Sequence, residues 1–429
     1  MSFFFFSVAS LYSTHKSRLM LSTVGFVLLA IVPTASLGED AAVDFTVQLD
    51  VVKQQLDPTF CWFHPRVASI PGKGKDGKPL VLLTILKHLA ASDHYSGLYV
   101  MKTADLGATW TDPMLPKELD WRKEGDVSIA VADVTPGWHA KTGKILAIGV
   151  KVRYSAQGAH LTDQPRSYDC SYAVYDPTTD GWTAWRELDM PIGDDGRFHH
   201  ISPGCCQWVI NPDGTVLIPV CYQSASGGPY SVTVLQCAFD GATLKFQKHG
   251  DELHLRQAEG LLEPSLAYFA GRYYLTIRYD DRGYLSVSDD GEKFSPIKAW
   301  TFDDGADLGS FNTQQHWVTH SDGLFLAYTR RGANNKHIPR GRAPLFMARV
   351  DTDKLEVIRA SEKPLIPERG AQLGNFGAAA IDENESWVTD SEFILASKAD
   401  PRGANGSTFL ARVKWNKPNR IEAATGFPR

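Results

Sequence analysis

One pattern recurs six times along this chain and limits its fold more than any other feature. An apolar run is followed by a turn and then by a second apolar run with a polar end. The copies occupy residues 64–87, 126–153, 202–223, 263–280, 313–331 and 375–393. Several of the turns carry Asp-Gly, Ala-Gly or Ser-Asp-Gly, the chemistry of tight β-hairpins. A third apolar segment follows each pair, at 96–105, 170–176, 230–240, 282–290, 342–351 and 406–415. Successive third segments start roughly 50–75 residues apart, enough for a four-stranded sheet and its loops, as in a propeller blade. The chain is therefore predicted to be all-β, a six-bladed β-propeller of four-stranded antiparallel blades. An early segment, 43–51, is placed to complete the last blade and close the ring. A β-sandwich also gives many short strands, but nothing in it calls for a sixfold count.

The stretch "MKTADLGATWTD" (101–112) adds a second mark. Thr103, Asp105, Gly107, Thr109 and Trp110 have the spacing of an Asp-box. In such a turn a hydroxyl and a carboxylate bond the backbone, glycine permits the tight bend, and tryptophan plugs the gap between neighbouring strands. Two weaker versions follow. Residues 287–294 keep Asp289, Gly291 and Phe294 but put Val287 at the hydroxyl position, and residues 178–185 keep Thr178, Asp180 and Trp185 with the glycine displaced.

Charge and cysteine usage narrow the class. Across 429 residues, 44 basic and 49 acidic side chains leave a net charge of -5. With the signs mixed and no basic run beyond the N-terminus, the chain lacks the electrostatic footprint of a nucleic-acid binder. Residues 1–38 read as a secretory signal peptide: His15, Lys16 and Arg18 precede the apolar run 19–32 and the small-residue stretch "TASLG". A single propeller domain over 39–429 is then expected in a secreted or periplasmic protein, free of the membrane once the signal is removed. An uncleaved anchor is the competing reading. Six cysteines are too few for a disulfide scaffold and show no CxxC spacing, so one or two disulfides or buried free thiols both fit. No metal or cofactor is expected, because no carboxylate-histidine spacing supports one.

In a propeller, polar residues at the start of strand one, the end of strand two and the start of strand three converge at one end of the central channel. Here they are His64 and Arg66, Asp93 and His94, His199 and His200, Glu263, Arg278, Gln315 and His316, Arg330 and Arg342, and Glu392. Several arginines with a few carboxylates fit a pocket for an anionic sugar, since a guanidinium fork binds a carboxylate in two places.

From about residue 60 to 415 the chain resembles the sialidase (neuraminidase) superfamily, whose members are six-bladed propellers with Asp-boxes. Members begin blade one with an arginine beside a proline, matched here by Arg66 in "FHPRVASIP". They place an acid/base aspartate in the loop before the third strand, matched by Asp93 in "SDHYSGLYVMKTAD". "EPSLAYFAGRYYLTIR" resembles the segment bearing the family glutamate and second arginine, giving Glu263 and Arg278. Arg342, before the third strand of blade five, is the third arginine of the resemblance, with Arg330 as competitor; His64, His200 and Gln315 are further substrate contacts. The departure is in the last blade. The family's tyrosine nucleophile stands near the end of strand two, where this chain has Asp390, Ser391 and Glu392, and no tyrosine follows Tyr328. Glu263, or Glu392 in place of the tyrosine, is then the nucleophile or base. The resemblance implies an exo-glycosidase acting on a glycan that ends in sialic acid or a related acidic sugar. A uronate lyase and a non-catalytic glycan-binding propeller are the alternatives.

Overall fold

The computed structural model describes residues 42–90, 93–161, 168–256 and 259–421. Residues 1–38, read above as a signal peptide, lie outside them. Among the described residues there is no α-helix, only strands and four short 3-10 turns. None of these segments is a helix long and apolar enough to cross a membrane.

The strands form six antiparallel sheets, the six predicted blades. Blade one is built from Phe60–Ile70, Leu80–Leu89 and Tyr99–Thr103. Blade two centres on Val127–His139, Lys144–Tyr154 and Asp169–Asp176. In blade three, Val216–Gln223 pairs on one side with the short strands His200–Ser202 and Val209–Ile210 and on the other with Ser231–Phe239. Blade four runs Leu262–Phe269, Arg272–Arg278 and Tyr284–Ser288, and blade five His316–His320, Gly323–Thr329 and Leu345–Asp351. Blade six takes Gly377–Ala380, Glu385–Ser391 and Ser407–Trp415 from the C-terminal part and its outer strand, Phe45–Gln54, from the N-terminal part. That strand pairs from Phe45↔Trp415 to Gln54↔Ser407 and closes the ring as expected.

The core is divided among the interfaces between blades. Six buried apolar clusters occur, each made of side chains from two adjacent sheets. Every blade is thus apolar on both faces, which explains why its strands read as nearly continuous apolar runs. Trp110, at the end of the first Asp-box, packs at 6.0 Å from Trp387 of blade six. The turn itself closes as the sequence suggests. Thr103 Oγ1 accepts from the Gly107 amide at 2.8 Å, and Asp105 accepts from the Thr109 amide at 2.9 Å and the Thr109 hydroxyl at 2.7 Å. Those hydrogen bonds hold the Asp105 carboxyl down at about 2.

The two weaker turns differ from expectation. In blade four the hydroxyl and acid are Ser288 and Asp290, one residue later than Val287 and Asp289. Ser288 Oγ accepts from the Gly291 amide, Asp290 from the amides of Glu292 and Lys293, and Asp289 turns outward to Arg272. In blade two the acid that caps the turn is Asp176, which accepts from Thr178, while Asp180 pairs with Lys102 and Tyr175.

Candidate functional site

The inner strands do not run straight through the ring. Pairing slips between Phe63 and Arg66 in blade one, Ala132 and Thr135 in blade two, and Leu262 and Ser265 in blade four. At each slip one residue adopts left-handed backbone: His64 (φ 51°), Asp133 (φ 55°) and Glu263 (φ 39°). Blade three does the same at Cys205 (φ 57°), in the gap between its two short inner strands, and blade five at Asn312 (φ 47°) just before its inner strand. Left-handed backbone costs non-glycine residues about 1–3 kcal/mol each, so five blades carry strain at corresponding places. Bulges of this kind re-aim side chains. His64, Asp133, Cys205 and Glu263 all line one cavity of about 820 Å³.

The opposite end of the channel is narrower. Gln207 spans it, its amide donating to the carbonyls of Trp317 (2.9 Å) and Ala378 (3.2 Å) and accepting from the Trp317 amide (2.6 Å). The space beyond, ringed by inner-strand residues of all six blades, holds only about 110 Å³.

On one side of the large cavity Asn312 organises two guanidinium groups. Its side-chain oxygen accepts from Arg278 Nη2 at 2.7 Å, and its carbonyl accepts from Nε and Nη2 of Arg342. Arg278 also donates to Glu263 Oε1. Burial works against the charge on Arg278, but the Glu263 carboxylate outweighs it and raises the guanidinium further. Arg342 has no carboxylate partner among the described residues. Burial, then the charge of Arg278, brings it down to about 10.

Asp93 approaches from the blade-one rim. Its side chain is exposed, with Oδ1 accepting from the Tyr95 hydroxyl at 3.0 Å. Its carbonyl accepts from Tyr154 at 3.0 Å and from His160 Nε2 at 2.8 Å, which fixes a sixth left-handed residue (φ 47°). Since His160 Nε2 donates there, its Nδ1 is the acceptor for the Tyr168 hydroxyl at 3.0 Å. Tyr168 is pushed up to about 12 by burial. His200 lies with ring centroids 4.4 Å from Tyr168 and 4.9 Å from Tyr230, and burial lowers it to about 4, leaving a neutral imidazole.

The structure therefore brings Asp93, Glu263, Arg278, Arg342, His64 and His200 to one cavity. Four other residues expected to act on or contact the substrate do not line it, nor do His94, His199 and His316. Arg66 is buried behind the lining against Gln314 and Gly377, with Nε and Nη1 unpartnered; a Cβ at position 377 would sit 2.5 Å from its Cγ, so only glycine fits there. Arg330 is held away in a two-pronged pair with Glu362, at 2.8 and 2.6 Å, over the ring of Phe346. Gln315 is a buried bridge from Thr276 Oγ1 to the Thr313 carbonyl. Glu392 is buried and turned to the loop after it, accepting from the amides of Asn405 and Ser407. Its neighbour Asp390 is likewise engaged, by the amides of Gly374 and Ser391, and burial raises it to about 7. All six cysteines are buried and free, which settles the thiol question.

Sequence reasoning missed Asp133, Cys205, Tyr168 and Tyr230 as cavity residues. Asp133 had a signal: it is the one acid inside the apolar run "VSIAVADV".

No protein-family model matches the chain, and no curated protein sequence does. Solved sialidases share its fold. Trypanosoma rangeli sialidase in complex with the inhibitor DANA superposes with a TM-score of 0.57 at 13% identity, over 85% of this chain and 59% of that one. NanB sialidase from Streptococcus pneumoniae gives 0.55 at 11% identity, over 86% of this chain and 70% of that one. Leech intramolecular trans-sialidase gives 0.51 at 11% identity, over 88% and 71%. The chain thus spans 58–59% of the length of the trypanosomal enzyme. The fold is a sialidase-like six-bladed propeller.

Proposed function

We propose that this propeller is an exported glycoside hydrolase that removes a terminal acidic sugar, of sialic-acid type, from glycans. The observation that carries the reading is the arrangement of opposite chemistries around one cavity: Arg278 and Arg342 joined by Asn312 at one side, and the exposed Asp93 carboxyl at the rim. Two guanidinium groups held in place are suited to a sugar carboxylate, and holding the sugar there orients the glycosidic bond. Asp93, protonated, gives its proton to the leaving oxygen as the C–O bond breaks. Water adds to the anomeric carbon and Glu263, set beside Arg278, accepts its proton. The Glu263 carboxylate stabilises the oxocarbenium-like transition state.

This assignment uses Glu263 rather than a tyrosine. The hydroxyls of Tyr95 and Tyr168 donate to Asp93 and His160, and burial pushes the Tyr230 hydroxyl up, away from the phenolate. The fold relationship to sialidases supports the substrate class, as does the lack, among the described residues, of a carboxylate partner for Arg342. The test is product analysis after incubation with sialyllactose and with a glucuronide-terminated oligosaccharide. Free acidic monosaccharide is expected. An unsaturated, ultraviolet-absorbing product would instead mean elimination and overturn the hydrolytic scheme.

A further inference from the structure

Three cavity residues from three successive blades have no part in that scheme: His64, Asp133 and Cys205. Each sits in left-handed backbone, and one donor atom from each lies within 4.8 Å of the others. His64 Nδ1 and Asp133 Oδ1 form an ion pair at 2.6 Å, at an angle that makes a poor hydrogen bond. His64 Nε2 lies 4.0 Å from Cys205 Sγ. A cation ligated by both His64 Nδ1 and Asp133 Oδ1 would replace their poorly angled contact with two metal bonds.

We propose that His64, Asp133 and Cys205 bind a zinc ion through one imidazole nitrogen, one carboxylate oxygen and the thiolate, with the fourth position open to the cavity. The mixed nitrogen, oxygen and sulfur set selects zinc over calcium or magnesium, which take oxygen ligands. Three protein ligands with one open position is the pattern of a zinc site that handles water or substrate. Donor atoms around a tetrahedral zinc stand about 3.2–3.8 Å apart, so on binding the 2.6 Å contact between His64 and Asp133 opens while the widest separation, up to 4.8 Å, closes. Thiolate and carboxylate together neutralise the ion. Arg66, beside the Cys205 thiol and with two unpartnered N–H groups, is placed to donate to the metal-bound sulfur. The ligands come from distant parts of the sequence, each delivered by the irregular point of its own inner strand.

The test is metal analysis of the full chain, purified without chelator and then loaded with Zn²⁺ or Co²⁺. We expect about one zinc per chain, and for the cobalt form a thiolate-to-metal charge-transfer band. That band should vanish in Cys205→Ser and His64→Ala and persist in Cys206→Ser, a neighbouring buried thiol outside the cluster. Wild-type protein that takes up no zinc from excess, or whose cobalt form lacks the band, overturns the proposal without recourse to any variant. A band surviving Cys205→Ser does so as well. Neither readout involves sugar release, so the result stands apart from the hydrolytic reading.

Discussion

Glu263→Gln isolates the charge that balances Arg278 while keeping a side chain of the same shape and one acceptor for the guanidinium. At about 4 Å between charge centres and an effective dielectric of about 20, the lost attraction is about 4 kcal/mol. The cavity admits solvent, with 25% of the Glu263 side chain and 13% of the Arg278 side chain exposed. Screening and the retained hydrogen bond reduce the net loss to about 2 kcal/mol, below the range for breaking a fully buried pair. For a ring of this length the entropy of melting is about 0.8 kcal/mol per kelvin, so Tm should fall by about 2–3 °C. The variant then holds two buried guanidinium groups with no carboxylate between them. Free sialic acid should stabilise it more than wild type, and saturation at about 100 times Kd returns about 2.7 kcal/mol. Differential scanning calorimetry with and without the sugar acid reads both quantities. If Glu263→Gln melts with wild type, or if the sugar acid shifts both proteins equally, the pair does not govern the charge of this cavity and the argument fails.

Other substitutions separate structural from site arginines. Arg330→Ala should lower stability by about 2–3 kcal/mol through the loss of the Glu362 pair and the Phe346 contact, with KM unchanged. Arg342→Ala should raise KM by about 10–100-fold for an acidic substrate; steady-state kinetics and urea melts on both variants decide this. His200 gives a pH signature. Its folded value of about 4 lies below the unfolded value of about 6.5, so the unfolded chain binds the extra proton between them. Its contribution is fully present above about pH 6.5 and is lost as pH falls toward 4, about 2 kcal/mol of it between pH 7 and 5. His200→Gln should flatten that part of the stability curve in urea titrations at the two pH values. A thiol reagent should react with the cysteines only after denaturation, and reductant should leave Tm unchanged, because all six are buried and unpaired.

The ring was legible because its physics is repetitive. Each sheet packs apolar faces against both neighbours, so the strands appear as apolar runs bounded by turn residues, and the count of six follows. The first Asp-box was legible because five residues at fixed spacing serve one turn. In blade four the same turn starts one residue later, at Ser288, and spacing alone pointed to Val287. Individual site residues were harder. Glu392 and Arg330 both end second strands, where a polar residue was expected to face the channel. The actual partners, the 405–407 loop and Glu362, are local or 32 residues away and have no sequence signature. Gln315 was expected at the rim, but its side chain is drawn inward by Thr276. The His64, Asp133 and Cys205 cluster shows no motif, since the ligands meet only when three blades stand side by side.

The most direct test of the account is release of fluorophore from a fluorogenic α-sialoside by wild type and by Asp93→Ala, both verified as folded. The exposed Asp93 side chain is bonded to Tyr95, and the bonds from Tyr154 and His160 go to its backbone carbonyl, which alanine keeps, so the variant should fold. The account predicts turnover by wild type and a loss of about 10²–10⁴-fold in the variant, the usual contribution of a positioned acid. No turnover by folded wild type, or turnover undiminished in Asp93→Ala, would contradict it.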